Sequence, residues 1–247
     1  MTALVFFITA ALYATVGFGG GSTYTAVLAV LETEIWRIPI IALICNISVV
    51  ALGSYMAVTR RAFDWRRALP FFAASVPLAF IGGLMPLRDD IYITLLAVSL
   101  LLAGTRLLFV TDQQGASRTA SPTTAKAVSI GGGLGLLSGM VGIGGGIFLA
   151  PILHYLKWAD SKTIAALCSF FILVNSLAGL AGQLVKNGAG VIPDIAVYAA
   201  PLVVAVLLGG FLGSRVLLER LSHDRLRKIT SLLIIFVATY LLWQLYS

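Results

Sequence analysis

The sequence predicts an all-α integral membrane protein. It consists of two inverted repeats, each a glycine-broken, re-entrant helix hairpin followed by three transmembrane helices. Three observations carry this. The composition is 59% hydrophobic and 11% charged, with a mean hydropathy of +0.99, against about 25% charged residues in soluble domains. A glycine-rich break occurs twice, 125 residues apart: Val16-Gly17-Phe18-Gly19-Gly20-Gly21 and Val141-Gly142-Ile143-Gly144-Gly145-Gly146. The basic residues sort to one side only when both broken segments re-enter.

The uncharged stretches are 1–31, 38–59, 68–87, 91–105, 127–156, 163–185, 195–214 and 229–247. A spanning helix needs about 20 apolar residues, so most of these are one span each. Stretch 91–105 reaches that length if Arg106 snorkels and the helix runs to Val110. Stretches 1–31 and 127–156 are too long for one span, at roughly 45 Å if helical against a hydrocarbon core of about 30 Å. They are also the two that carry the glycine break. A glycine costs about 1 kcal/mol against alanine in a helix interior, so a triple glycine interrupts each segment. The segment Thr111–Thr124 is polar and rich in Gly, Ser and Pro, a flexible linker between repeat 1 (1–110) and repeat 2 (125–247). Together they form one integral membrane domain.

The charges favour re-entry. With eight plain spans, the 17 basic residues divide nine to eight between the two faces. With two re-entrant hairpins, only Arg37, Arg88 and Lys186 lie on one face and the other 14 lie opposite. The positive-inside rule expects such a bias in short loops. Three spans per half then invert the second half, with both termini outside the cytoplasm. Eight plain spans remain the alternative. The net charge of +7 comes from these loops and does not indicate nucleic-acid binding. A cleaved signal peptide is not expected, since no basic region precedes the first apolar segment.

The candidate site follows from the breaks. The helices after the turns begin near Ser22 and Ile147, and a helix N-terminus offers unpaired N–H groups and about half a positive charge. Two such ends meeting near the midplane make an anion site of backbone amides, with Gly17, Gly19, Gly20, Gly21, Gly142, Gly144, Gly145 and Gly146 allowing close approach. Ser22 and Thr23 add hydroxyls. The helices that follow also correspond: Cys45-Asn46 in one matches Cys168-Ser169 in the other, each near mid-membrane. Asn175 and Gln183 extend the same polar path. Arg37 and Lys162 open the two helices and are candidate vestibule cations; interfacial anchoring is the plainer reading of both. Close helix packing is the plainer reading of the glycines, and small buried hydrophobes that of the cysteines.

All ten acidic residues lie in loops or at stretch ends. Carboxylate-based proton or cation coupling is therefore not expected. No nucleophile–base pair or metal-ligand cluster is present, so neither an enzyme nor a cofactor is expected.

The motifs Gly17-Phe-Gly-Gly-Gly21 and Gly142-Ile-Gly-Gly-Gly-Ile-Phe-Leu-Ala-Pro151 resemble the signature of the sulfite exporter TauE/SafE family. Gly82-Gly83, Gly209-Gly210-Phe-Leu-Gly213 and the basic run 215–228 resemble its later segments. In the first copy Ser22-Thr-Tyr-Thr replaces an apolar run, and nothing matches Pro151. The resemblance implies a multi-pass permease of the bacterial inner membrane for sulfur-containing anions: sulfite, organosulfonates or thiosulfate. The expectation is therefore an anion permease, an exporter or facilitator, in which rocking halves expose the site alternately. An anion channel and a non-transporting scaffold or assembly factor are the alternatives. The expected partners are a small anionic substrate and the lipid bilayer, with a homodimer allowed and no nucleic acid.

Overall fold

The computed structural model describes residues 2–14, 18–31, 33–109, 122–216 and 223–246. Gly17, most of the 111–124 linker and part of the basic run 215–228 lie outside them. The order is α1 (Thr2–Ala14), α2 (Gly21–Val30), α3 (Arg37–Thr59), α4 (Trp65–Leu84), α5 (Asp89–Phe109), α6 (Thr124–Val141), α7 (Gly146–Tyr155), α8 (Ser161–Asn187), α9 (Ile192–Val216) and α10 (His223–Tyr246), with a 3₁₀ turn at Ala189–Val191. Among the described residues, five helices are long and apolar enough to cross a bilayer, namely α3, α4, α6, α8 and Ile192–Gly213 of α9. The protein is an all-α, multi-pass membrane protein.

Both glycine breaks interrupt their helices as expected. α1, α2 and α7 have 13, 10 and 10 residues, or about 20, 15 and 15 Å, too short to span. α6, with 18 residues, is the longest of the four broken pieces. α6 opens at Thr124, one residue before the expected start of the second repeat.

Glycine faces set how the helices run past one another. Gly131, Gly135 and Gly139 of α6 abut the backbone of Phe71, Ser75 and Ala79 of α4, so these two helices run in the same direction. Gly209 and Gly213 of α9 abut Phe7 and Ala11 of α1 in the same way. A side chain at any of these glycines would strike a backbone carbonyl, which is how small residues let membrane helices approach. α8 runs with α4: Phe72 meets Phe171 at 6.0 Å between ring centroids, and Gly83 meets Gln183. α9 runs with α3, since Arg37 meets Asp194 at one end and Val49 meets Gly210 further along. α3 and α8 are antiparallel: Leu43 faces Gly179, and Ser54 Oγ lies 3.3 Å from Ser169 Oγ.

Two apolar clusters fill the interior. One joins Phe6, Tyr24, Ile41, Leu96, Val206 and Leu241. The other joins Phe71, Leu149, Trp158 and Phe171.

Candidate anion site between two glycine turns

Left-handed glycines build both turns. Gly20 (φ 86°) precedes α2 and accepts from the N–H groups of Thr23 and Tyr24, both at 3.0 Å. Gly145 (φ 79°) precedes α7 and accepts from Phe148 and Leu149 at 3.1 and 3.2 Å. Gly142 and Gly144 are also left-handed, at 87° and 86°. An L-residue costs about 1–2 kcal/mol in this conformation, which explains why glycine fills these positions. The helices begin at Gly21 and Gly146, one residue earlier than the sequence predicts. Among the described residues, the N–H groups of Gly21, Ser22, Gly146 and Ile147 have no acceptor.

The two turns meet at Asn46. This residue is near the middle of α3 and fully buried. Its Nδ2 donates to the Ile143 carbonyl at 3.1 Å. Its amide also lies against Gly19 and Gly21, and a Cβ on Gly21 would come within 2.6 Å of the Ile143 carbonyl. Ile172 and Ser176, near the middle of α8, close the other side against Gly144. Two further side chains hold the end of α6: Tyr92 donates to the Val141 carbonyl at 3.1 Å, and Gln183 Nε2 donates to Gly139 at 3.1 Å. Carbonyls left orphaned by the break thus acquire partners from α3, α5 and α8.

Polar atoms without partners gather in the same region. Asn46 Oδ1, Asn175 Oδ1, Ser176 Oγ, Ser138 Oγ, Gln183 Oε1 and Tyr24 OH are buried and unpaired among the described residues. Each unmet group costs about 1–3 kcal/mol. This concentration lies inside a membrane protein, beside helix amides without acceptors, where unmet polar groups are rare.

The remaining expected residues fall into several settings. Ser22 and Thr23 reach Tyr13 OH, at 3.3 and 3.1 Å, so Tyr13 orders the hydroxyls at the start of α2. Cys45 and Cys168 are both fully buried, in different apolar clusters, and do not face one another at the junction. Ser169 pairs with Ser54 rather than with the glycine turns. Gly142 packs on Pro39, and Gly146 on Ile172 and the Cys168 carbonyl. Arg37 is engaged by Glu34 at 3.3 Å and Asp194 at 2.9 Å, with its guanidinium over the Trp36 and Tyr198 rings. Lys162 is exposed at the start of α8, beside Asp160, whose carboxylate accepts from the Thr163 amide at 3.0 Å. That hydrogen bond holds the Asp160 carboxyl below its ordinary value. Tyr13, Ser54, Tyr92, Ser138 and Ser176 are additions from the structure.

Two short broken helices that meet end to end at an uncharged polar centre, inside a bundle of spanning helices, define a polytopic membrane transporter. The chain belongs to the sulfite exporter TauE/SafE family, whose model matches residues 2–241. It is similar to probable membrane transporter protein y4hK of Sinorhizobium fredii, at 30% identity over 98% of this chain and 97% of that protein. It is also similar to a probable membrane transporter protein of Xylella fastidiosa, at 29% identity over 92% of this chain and 88% of that one. No solved structure matches the chain. The family is one of transporters, not enzymes.

Proposed function

We propose that this protein is an inverted-repeat permease that exports a sulfur-containing anion: sulfite, an organosulfonate or thiosulfate. The observation that carries the proposal is the meeting of the two glycine turns at Asn46, with four helix amides free. The anion sits between the N-termini of α2 and α7, where about half a positive charge from each helix faces it. Ser22 and Thr23, ordered by Tyr13, supply hydroxyl donors. Asn46 and Ser176 flank it.

The helix directions support inversion. α1, α3 and α9 share one direction, while α4, α6 and α8 share the other, so each of α6, α8 and α9 opposes its counterpart in the first half. α2 returns beside α3, with Gly21 at Asn46, and α7 returns beside α8, with Gly146 at Ile172. Each broken segment is then a hairpin that enters and leaves on one face. Rocking of one half against the other opens the junction to each side in turn.

The test is sulfite efflux from proteoliposomes holding the purified protein. Saturable flux, inhibited by competing sulfur anions, is the expected result. Flux without saturation would make it a channel. No flux of any sulfur anion from folded protein would overturn the proposal.

A further inference from the structure

Resting on the permease reading above, we infer that this site selects by charge. It takes a monoanion, such as hydrogen sulfite or a sulfonate, and excludes dianions, which narrows the substrates proposed above by removing thiosulfate. Stretches 1–31, 38–59 and 163–185 hold no charged residue, and stretch 127–156 holds only His154, near the far end of α7. The positive end of the site is therefore two helix N-termini, which sum to about one elementary charge. Arg37 lies nine residues before Asn46, about 13 Å along the helix, and two carboxylates already engage it. Lys162 is exposed at the start of α8. One unit of positive charge balances a monoanion; a dianion would keep a full uncompensated charge in a low-dielectric interior.

Asn46 Oδ1 adds a chemical preference. It accepts hydrogen bonds and cannot donate them, it is fully buried without a partner, and it lies against Gly19 beside the start of α2. A bare oxyanion would meet it with like partial charge. An oxyanion that keeps its proton would donate to it while its other oxygens receive the free amides of Gly21, Ser22, Gly146 and Ile147. Hydrogen sulfite fits both demands; a sulfonate carries no proton, fits the charge demand alone and is the slower substrate.

Among the described residues, the titratable side chains buried on the elements packed here are the phenols of Tyr13, Tyr24 and Tyr92 and the thiols of Cys45 and Cys168, and their ordinary ionisations lie above neutral pH. The ends of the same helices carry Asp89, Asp90, Lys126, His154, Lys162 and Lys186, and histidine is the side chain that ordinarily changes charge near neutral pH. A fall in flux confined to sulfite therefore reports the substrate, and one shared by a substrate of fixed charge reports the protein.

The experiment uses the full-length protein in proteoliposomes. Initial rates are measured at fixed total sulfite from below to above the second ionisation of sulfurous acid. Methanesulfonate, a monoanion throughout, and thiosulfate, a dianion throughout, are run beside it. The expected sulfite rate follows the hydrogen sulfite fraction and falls about tenfold per pH unit above that ionisation. Methanesulfonate transport is expected to hold constant, and thiosulfate to stay at background. Sulfite flux flat across that range, or thiosulfate carried as fast as sulfite, would overturn charge selection and leave the permease standing. A methanesulfonate rate that fell in step with sulfite would trace the pH effect to the protein and overturn it too. No flux of any sulfur anion would remove the permease reading itself.

Discussion

Arg37 Nη2 lies 2.9 Å from Asp194 Oδ2, joining the start of α3 to the start of α9. On the other side of the sequence pattern, Arg67 Nη2 donates to the Trp158 carbonyl at 3.0 Å, with the guanidinium 4.8 Å from the Trp158 ring. Eight plain spans would put the two residues of each pair on opposite faces of the bilayer, about 30 Å apart. The inverted arrangement proposed above puts each pair on a single face. Three basic residues then share the Arg37 face and fourteen share the Arg67 face.

The Arg37–Asp194 contact has a measurable strength. The Arg37 side chain is 16% exposed and that of Asp194 is 41% exposed, so about 0.2–1 kcal/mol is expected from the pair. Arg37→Met and Asp194→Ala, singly and together, form a double-mutant cycle in detergent-solubilised thermal unfolding. The coupling should be favourable and weaken with salt. Strict additivity would show that these residues do not meet in the folded protein.

The faces themselves can be read with fusions. An alkaline phosphatase reporter after Ser247 should be active, because the C-terminus is outside the cytoplasm in the inverted arrangement. The same reporter inserted between 111 and 121 should be silent, and a cytoplasmic fluorescent reporter there should be bright. A cytoplasmic C-terminus would defeat inversion.

Asn46→Leu removes the donor to Ile143 and leaves that carbonyl buried and unmet, at about 1–3 kcal/mol. Flux should be lost while the protein still inserts. Asn46→Asp keeps the shape but adds a negative charge between the helix N-termini, which cancels the field that holds an anion. It should abolish anion flux as well, and its flux is the sharper measurement. Wild-type rates in Asn46→Asp would rule out an anion beside this residue.

The glycines of the broken segments separate into strained turn positions and unstrained helical ones. Gly20→Val and Gly145→Val force side chains into left-handed backbone, and against the Tyr24 and Phe171 rings. A cost of about 1–2 kcal/mol each is expected from backbone alone. Membrane-inserted protein with no flux is the anticipated phenotype. Gly133, in α6, has nothing within 4 Å of an added Cβ, so Gly133→Ala should keep flux and gain up to about 1 kcal/mol in stability. Normal flux in both valine variants would show that the turns do not line the path.

Much of this was legible because glycine and charge act locally. The glycines at 19–21 and 144–146 end their helices, whereas Gly131-Gly132-Gly133 runs through α6 unbroken, with Gly131 packed on the α4 backbone, and loops advertise themselves by their arginines. Asn46 was visible for the same reason, since a polar amide in mid-span must find a partner. Its acceptor, Ile143, is 97 residues away, and no local pattern names it. Tyr13 looks like any other aromatic in an apolar stretch until the turn folds back and brings Ser22 and Thr23 to its hydroxyl. Arg37 reads as a bare cation because its carboxylate, Asp194, lies in the other half of the chain. The matched cysteines show the converse. Equivalent positions placed them at equivalent depth, yet packing put each in its own apolar cluster.

Asp160 offers a stability test away from the membrane interior. It caps α8, accepting from the Thr163 amide at 3.0 Å and the Thr163 hydroxyl at 3.0 Å. Asp160→Ala should cost about 0.5–1 kcal/mol, the lower part of the range for such caps because the residue is exposed. Its carboxyl is held below the ordinary value in the folded protein. The stabilisation is therefore present at neutral pH, above the unfolded value of about 3.9, and is lost as pH falls through the lower folded value. Wild type and Asp160→Ala should accordingly differ in thermal midpoint at pH 7 and converge under strong acid. Asp160→Asn keeps the capping oxygen without the charge, so it should recover much of the stability and shed the acid dependence. A wild-type-to-alanine difference that stayed constant down through the acid range would show that the carboxylate is not the capping group.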